Sequence, residues 1–164
     1  MDGHAAEGPA WLLALEQSGL GEAMRQSLWL YPSANVLHVL GAGILIGAIL
    51  AFDLRLLGVA SRLPVASAAS LLLPLAAGGV ALAIPTGFLM FSADARAVAG
   101  NPVFPYKLGL IALGLVNVAV LHGGALRGIA NWGARIPGAA RAAAVVSLAA
   151  WTGTITAGRL IAYF

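Results

Sequence analysis

The chain has 164 residues, of which 60% are hydrophobic and 9% charged, with a net charge of +3. Ordinary soluble domains carry roughly 25% charged residues, so a soluble globule is excluded and lipid is the predicted solvent for most of the chain. The lack of cysteine excludes disulfides, zinc fingers, iron–sulfur clusters and Cys-attached haem, and the nine Lys and Arg are too scattered for a nucleic-acid surface.

Residues 1–26 form the least apolar stretch, with Asp2, Glu7, Glu16 and Glu22 against Arg25. A secretory leader needs a basic start, and this segment lacks one, so it is expected to be retained. Pro9 at a first helical position, followed by Trp11, Leu12, Leu13, Leu15 and Leu20, predicts a short amphipathic helix in the membrane interface. Packing over the mouth of the helices behind it is the alternative.

Residues 27–164 are read as one membrane domain of four spans, since each needs about 20 apolar residues. The first begins at residue 27 or 34 and runs to 57, with Trp29 and Tyr31 as interfacial anchors and Pro32 to start or kink it. Gly41, Gly43 and Gly47 form a small-residue track on which a second helix is expected to pack, Gly43 and Gly47 having the four-residue spacing of close helix approach. The second span, residues 68–91, is predicted to be interrupted by Pro74, Gly78, Gly79, Pro85 and Gly87. A third over residues 104–122 ends at Gly123 and Gly124, and a fourth covers 139–163. The fold class is therefore all-α, an integral four-helix membrane bundle with a short N-terminal interfacial helix.

Four spans leave both termini on one side. The connectors on the other side carry Arg55, Arg62, Arg127, Arg135 and Arg141, against Arg25, Arg96, Lys107 and Arg159 on the terminal side. The basic excess places the connectors in the cytoplasm of a bacterial inner membrane and both termini in the periplasm.

Ionisable residues inside spans are costly and therefore read as functional. They are His38, Asp53 and Arg55 in the first span, Lys107 and His122 with Asn117 in the third, and Arg159 in the fourth; Asn35 and Thr152, Thr154 and Thr156 add neutral polar groups. Asn35, His38 and Asp53 fall within roughly 60° on a helical wheel, as do Lys107 and His122. Two membrane histidines fit axial ligation of haem b or of a metal, and equally fit hydrogen-bonded helix packing. His38 precedes the midpoint of its span and His122 follows that of its own, so the two imidazoles are on the order of 15 to 20 Å apart in depth. One haem cannot take both, and Met90 is the thioether placed to complete a site at His38. A symmetric dimer is the other way to complete it.

Asp53 and Arg55 also fit helix termination, Arg55 reaching the headgroups and Asp53 pairing with a connector base. Lys107 and Arg159 are placed to hold an anionic group such as a haem propionate, a quinone oxygen or a lipid phosphate, or to pair with Asp94.

At His38-Val-Leu-Gly41, at Asp53-Leu-Arg55-Leu-Leu-Gly58, and at Lys107, Asn117 and His122, the chain resembles a group of small four-helix bacterial inner-membrane proteins of uncharacterised activity. More loosely it is similar to membrane b-type cytochromes and to the membrane domain of copper-resistance proteins, which implies redox or copper handling. It departs from the cytochromes in lacking their full set of paired histidines.

The expected function is a small membrane redox protein, a haem b electron-transfer subunit or anchor between a quinone and a partner protein. The alternatives are a transport module for a metal ion or small solute, and a non-catalytic scaffold; a homo-oligomer or a subunit of a membrane complex is expected in each case. No nucleophile triad, carboxylate pair, phosphate loop or zinc-protease motif occurs, so an enzyme acting alone is not expected.

Overall fold

A computed structural model describes residues 9–124, 128–129, 132 and 136–164. Among the described residues every regular element is helical: α1 (Ala10–Glu16), α2 (Gly19–Gln26), α3 (Leu30–Leu56), α4 (Val65–Ala93), α5 (Ala95–Gly100), α6 (Phe104–Gly123) and α7 (Gly138–Leu160). Three of them, α3, α4 and α6 as far as Leu121, are long and apolar enough to cross a membrane. Helix α7 has 23 residues, but Arg141, Arg159 and three threonines dilute its apolar character.

Large apolar side chains point outward along all three of those helices, including Val36, Val39 and Leu40 of α3, Leu71 and Ile84 of α4, and Val116 and Val120 of α6. Contiguous apolar surface of this extent is foreign to a water-soluble monomer. The interior is built instead from small residues, with Ala140, Ala144 and Ala150 fully buried on α7 and Ala68, Ala76 and Ala83 on α4. Dispersion and close backbone approach therefore replace the large side-chain core of a soluble protein.

Helix α3 lies along α4 over most of its length, α7 joins α3 on another side, and α6 lies along α7. The α3–α4 seam runs through Gly41 and Gly79. A β-carbon on Gly41 would stand 2.8 Å from the Ala83 nitrogen, and one on Gly79 would stand 2.7 Å from the Gly41 carbonyl oxygen. Gly43 and Gly47, expected from their spacing to form the contact, have nothing within 4 Å of such a carbon. They are displaced by about 200° and 240° from Gly41 around the helix, and only one of the two faces meets α4.

The expected interruption of the second span is also absent, since α4 is continuous through Pro74 and Pro85. Proline 85 removes one N–H and leaves the Ala81 carbonyl without its helical donor. One residue on, Thr86 Oγ1 donates to the Leu82 carbonyl at 2.6 Å, the kind of local side-chain bond that lets a proline sit inside an apolar helix.

The N-terminal segment folds as two short helices rather than one. Ser18 caps α2 by accepting from the Gly21 N–H at 3.2 Å, and both helices dock on the α4–α5 corner. Trp11 packs on Phe91 with ring centroids 6.5 Å apart, and Phe91 stacks on Phe104 at 5.5 Å.

Candidate functional site

The polar residues expected to share one face of α3 divide between two places. Fifteen residues separate His38 from Asp53, a rise of about 22 Å, and they meet different neighbours.

His38 serves the α3–α4 seam. Its Nδ1 lies 2.8 Å from the Ala83 carbonyl oxygen and 3.4 Å from Thr86 Oγ1. Thr86 already donates to Leu82, so the carbonyl contact fixes the proton on Nδ1 and leaves the Nε2 lone pair unpartnered among the described residues. The ring occupies the space a side chain at position 87 would fill, 2.9 Å from where a Gly87 β-carbon would be. One turn away, the Asn35 amide meets Met90 Sδ at 3.9 Å. Met90 is thus on the His38 side of the seam, opposite Asn35. His122 is in the last turn of α6, and its side chain lies outside the described residues, as do Arg127 and Arg135.

Asp53 faces inward toward α7. It is 2% exposed, and its Oδ2 is buried with no hydrogen-bond partner among the described residues. Its neighbour across the α3–α7 contact is the Ser147 hydroxyl, itself 3% exposed. Above and below are apolar layers, Phe52, Leu56, Ala140 and Ala144 on one side and Leu45, Ala48, Ile49 and Trp151 on the other. Trp151 lies one turn beyond Ser147, 2% exposed, and its Nε1 is a second buried atom with no partner among the described residues. The indole fits against α6 because residue 114 is glycine; a β-carbon there would come within 2.9 Å of the ring. Asn117 of α6 joins this level through its Nδ2, which donates to the Ala143 carbonyl of α7 at 3.0 Å.

Among the described residues no connector base reaches Asp53, Arg127 and Arg135 lying outside them, and Arg55 does not extend to the headgroups. Two residues apart, the side chains leave α3 about 200° from one another. Arg55 is buried and folds over the turn that follows α3, its Nε donating to the Leu63 carbonyl at 2.6 Å and its Nη2 to that of Ser61 at 3.3 Å.

Lys107 and Arg159 meet the same end of α7 without sharing a partner. The Lys107 ammonium rests 3.6 Å from where a Gly158 β-carbon would be, with no anionic partner among the described residues. Arg159 turns to Tyr163, donating to its hydroxyl at 3.0 Å, with its guanidinium carbon 5.3 Å from the ring centre. Asp94, the expected partner of one of them, is exposed at the α4–α5 junction.

The acid that does pair at this end is Glu16, which sequence reasoning passed over. Its carboxylate accepts from the Arg96 backbone N–H at 2.7 Å and from Arg96 Nε at 2.8 Å. These contacts, with the nearby Arg25 charge, hold the Glu16 carboxyl below the usual carboxylate range, the backbone N–H being the largest cause. Arg25 bridges the Glu16 and Ala93 carbonyls at 2.7 and 3.0 Å.

Ser147 and Trp151 also escaped the sequence reading. The signal for them was the 4-3-4 spacing of Ala140, Ala144, Ser147 and Trp151, one buried stripe of α7. Among the described residues no three His, Cys, Asp or Glu side chains gather as a metal-binding group. No family model, curated protein or solved structure matches the chain.

Proposed function

We propose that this chain is a four-span membrane module that carries a small cation or solute, with Asp53 as its interior binding group. The carrying observation is a fully buried carboxyl oxygen with no hydrogen-bond partner among the described residues, held between α3 and α7. A lone carboxylate in such surroundings costs several kcal/mol, and membrane chains retain such groups for binding and translocation. Helix α7 supplies the fourth span, and the excess of connector arginines orients the termini toward the periplasm of a bacterial inner membrane.

The test is flux through proteoliposomes. Protein-containing vesicles should pass protons or a small ion faster than empty ones, and Asp53→Asn should return the rate to the empty-vesicle value. Equal rates for native and empty vesicles across protons, monovalent and divalent ions and small neutral solutes would remove the reading.

A second reading, haem b at His38, rests on its hydrogen-bonding. A ligating imidazole characteristically donates its other ring N–H to a carbonyl or carboxylate, and His38 Nδ1 meets the Ala83 carbonyl, leaving Nε2 open. Protein purified from haem-replete cells should then show a Soret band that disappears in His38→Ala; colourless protein would exclude this reading. Under either reading, assembly as a homo-oligomer or with a redox or scaffold partner is read out by native mass in mild detergent.

A further inference from the structure

We infer that the species Asp53 binds is a proton, and that Ser147 positions the carboxyl for it. The inference rests on Asp53 being the interior binding group and specifies its ligand.

The surroundings supply too few ligands for a metal ion. A hard cation such as calcium takes 6 to 8 oxygens, and magnesium requires near-octahedral geometry. Among the described residues the interior here offers one carboxyl and the Ser147 hydroxyl. The nearby Asn117 turns its amide nitrogen to Ala143, and the buried Trp151 Nε1 is a donor, which repels a cation. A proton asks only for one oxygen.

Among the described residues no neighbouring charge answers that of the carboxylate. Helix α4 carries no ionisable side chain from Val65 to Ala93. On α7, Arg141 is exposed and Arg159 is engaged with Tyr163 at the far end. On α3, Arg55 is bonded to Leu63 and Ser61, and His38 lies about 22 Å along the helix. Lys107 of α6 rests against Gly158, and Glu22 and Arg25 of α2 lie at the opposite end of α3. The side chains of His122, Arg127 and Arg135 lie outside the described residues.

The chemical step is one O–H bond. A proton from the aqueous phase adds to a carboxylate oxygen, and the negative charge disappears from the buried site. Release reverses the step, with no oxidant or co-reactant. Ser147 is a positioning residue, because its hydroxyl fixes the rotamer of the carboxyl. Trp151, one turn further along α7, closes the site on the His38 side with Leu45, Ala48 and Ile49.

Dicyclohexylcarbodiimide tests this directly, because it adds only to a protonated carboxyl and enters apolar interiors. The acid proton moves to a carbodiimide nitrogen and the carboxyl oxygen bonds to the central carbon, giving an adduct heavier by one reagent molecule. In the folded full chain in lipid nanodiscs, peptide mass spectrometry should place the adduct on Asp53, with yield falling as pH rises. Millimolar lithium, sodium, potassium or calcium should leave the yield unchanged, and Ser147→Ala should move its pH midpoint. Asp53→Glu, which keeps a carboxyl, should still label if the helices tolerate the longer side chain, whereas Asp53→Asn should not.

Absence of a residue-53 adduct in the folded native protein at every pH would overturn the inference, as would protection by one of those cations. An unchanged midpoint in Ser147→Ala would remove the positioning role. Labelling and flux fail independently: cation-protected labelling with intact flux leaves a carrier of another ion, while proton-dependent labelling without flux leaves a proton site in a protein that transports nothing.

Discussion

Gly79 of α4 stands against Gly41 of α3 so closely that neither position admits a β-carbon without moving the backbone of the other helix. Gly43 and Gly47, though better spaced for a packing motif, face away from it. The two pairs therefore separate packing from composition. Gly41→Ala and Gly79→Ala should each destabilise the protein by about 1 to 3 kcal/mol through overpacking. Gly43→Ala and Gly47→Ala should be neutral or stabilising by up to about 1 kcal/mol, because alanine is the better helix former. Unfolding in detergent by thermal melt or denaturant titration reads all four, and an equal loss at Gly43 would show that its face is also packed.

A buried acid with one oxygen unpartnered among the described residues predicts an inverted relation between stability and function. Removing an unsatisfied buried polar group is neutral or favourable when the replacement has a similar shape. Asp53→Asn and Asp53→Leu should therefore melt no lower than the native protein while losing flux. A drop like the 2 to 5 kcal/mol of a large-to-small core substitution would mean that Asp53 holds the helices together, and that its role is structural.

The helices were legible in the sequence because apolar length alone decides whether a segment can cross lipid, and residues 34–57, 68–91 and 104–122 met that test. The site was half legible. His38 and Asp53 stood out by their cost in an apolar run, but a wheel gives only angle, and it merged residues that different helices contact. Gly87 illustrates what was missing: read as a helix breaker, it is the space occupied by the His38 ring. Glu16 was hidden for a related reason, since its partner Arg96 is 80 residues away and nothing local marks the pairing. Ser147 was overlooked because a serine in an alanine-rich helix has no signature until an acid is found opposite it.

The docking of α1 and α2 should be acid-labile. Glu16 is held below the ordinary carboxylate range, near 4.3 for a free glutamate, so its carboxylate binds fewer protons folded than unfolded. The latch is then at full strength above that ordinary value and is lost as pH falls through the lower folded value. The hydrogen-exchange protection factor over residues 10–26, the intrinsic rate at each pH divided by the observed one, should fall on acidification toward pH 3, while α3 and α4 stay protected. Glu16→Gln should show fast exchange already at neutral pH, and Arg96→Ala should match it. If the protection factor of the segment is the same at pH 4 and pH 7 in the native protein and in Glu16→Gln, the carboxylate does not hold the cap.

Arg55 offers the sharpest contrast with its neighbour Asp53, because every contact it makes is structural. The turn after α3 places Gly58 at φ 109° and Ala60 at φ 50°, and the Arg55 guanidinium fills its concave side by donating to the Leu63 and Ser61 carbonyls. Arg55→Leu keeps most of the buried stem but strands both oxygens, at a cost of about 1 to 3 kcal/mol. Arg55→Lys should recover only part of this, since an ammonium lacks the planar fork that reaches two carbonyls together. Both variants should keep Asp53-dependent flux and carbodiimide labelling after correction for folded fraction. If Arg55→Lys instead retained full stability and lost flux, the guanidinium would belong to the transport site rather than to the turn.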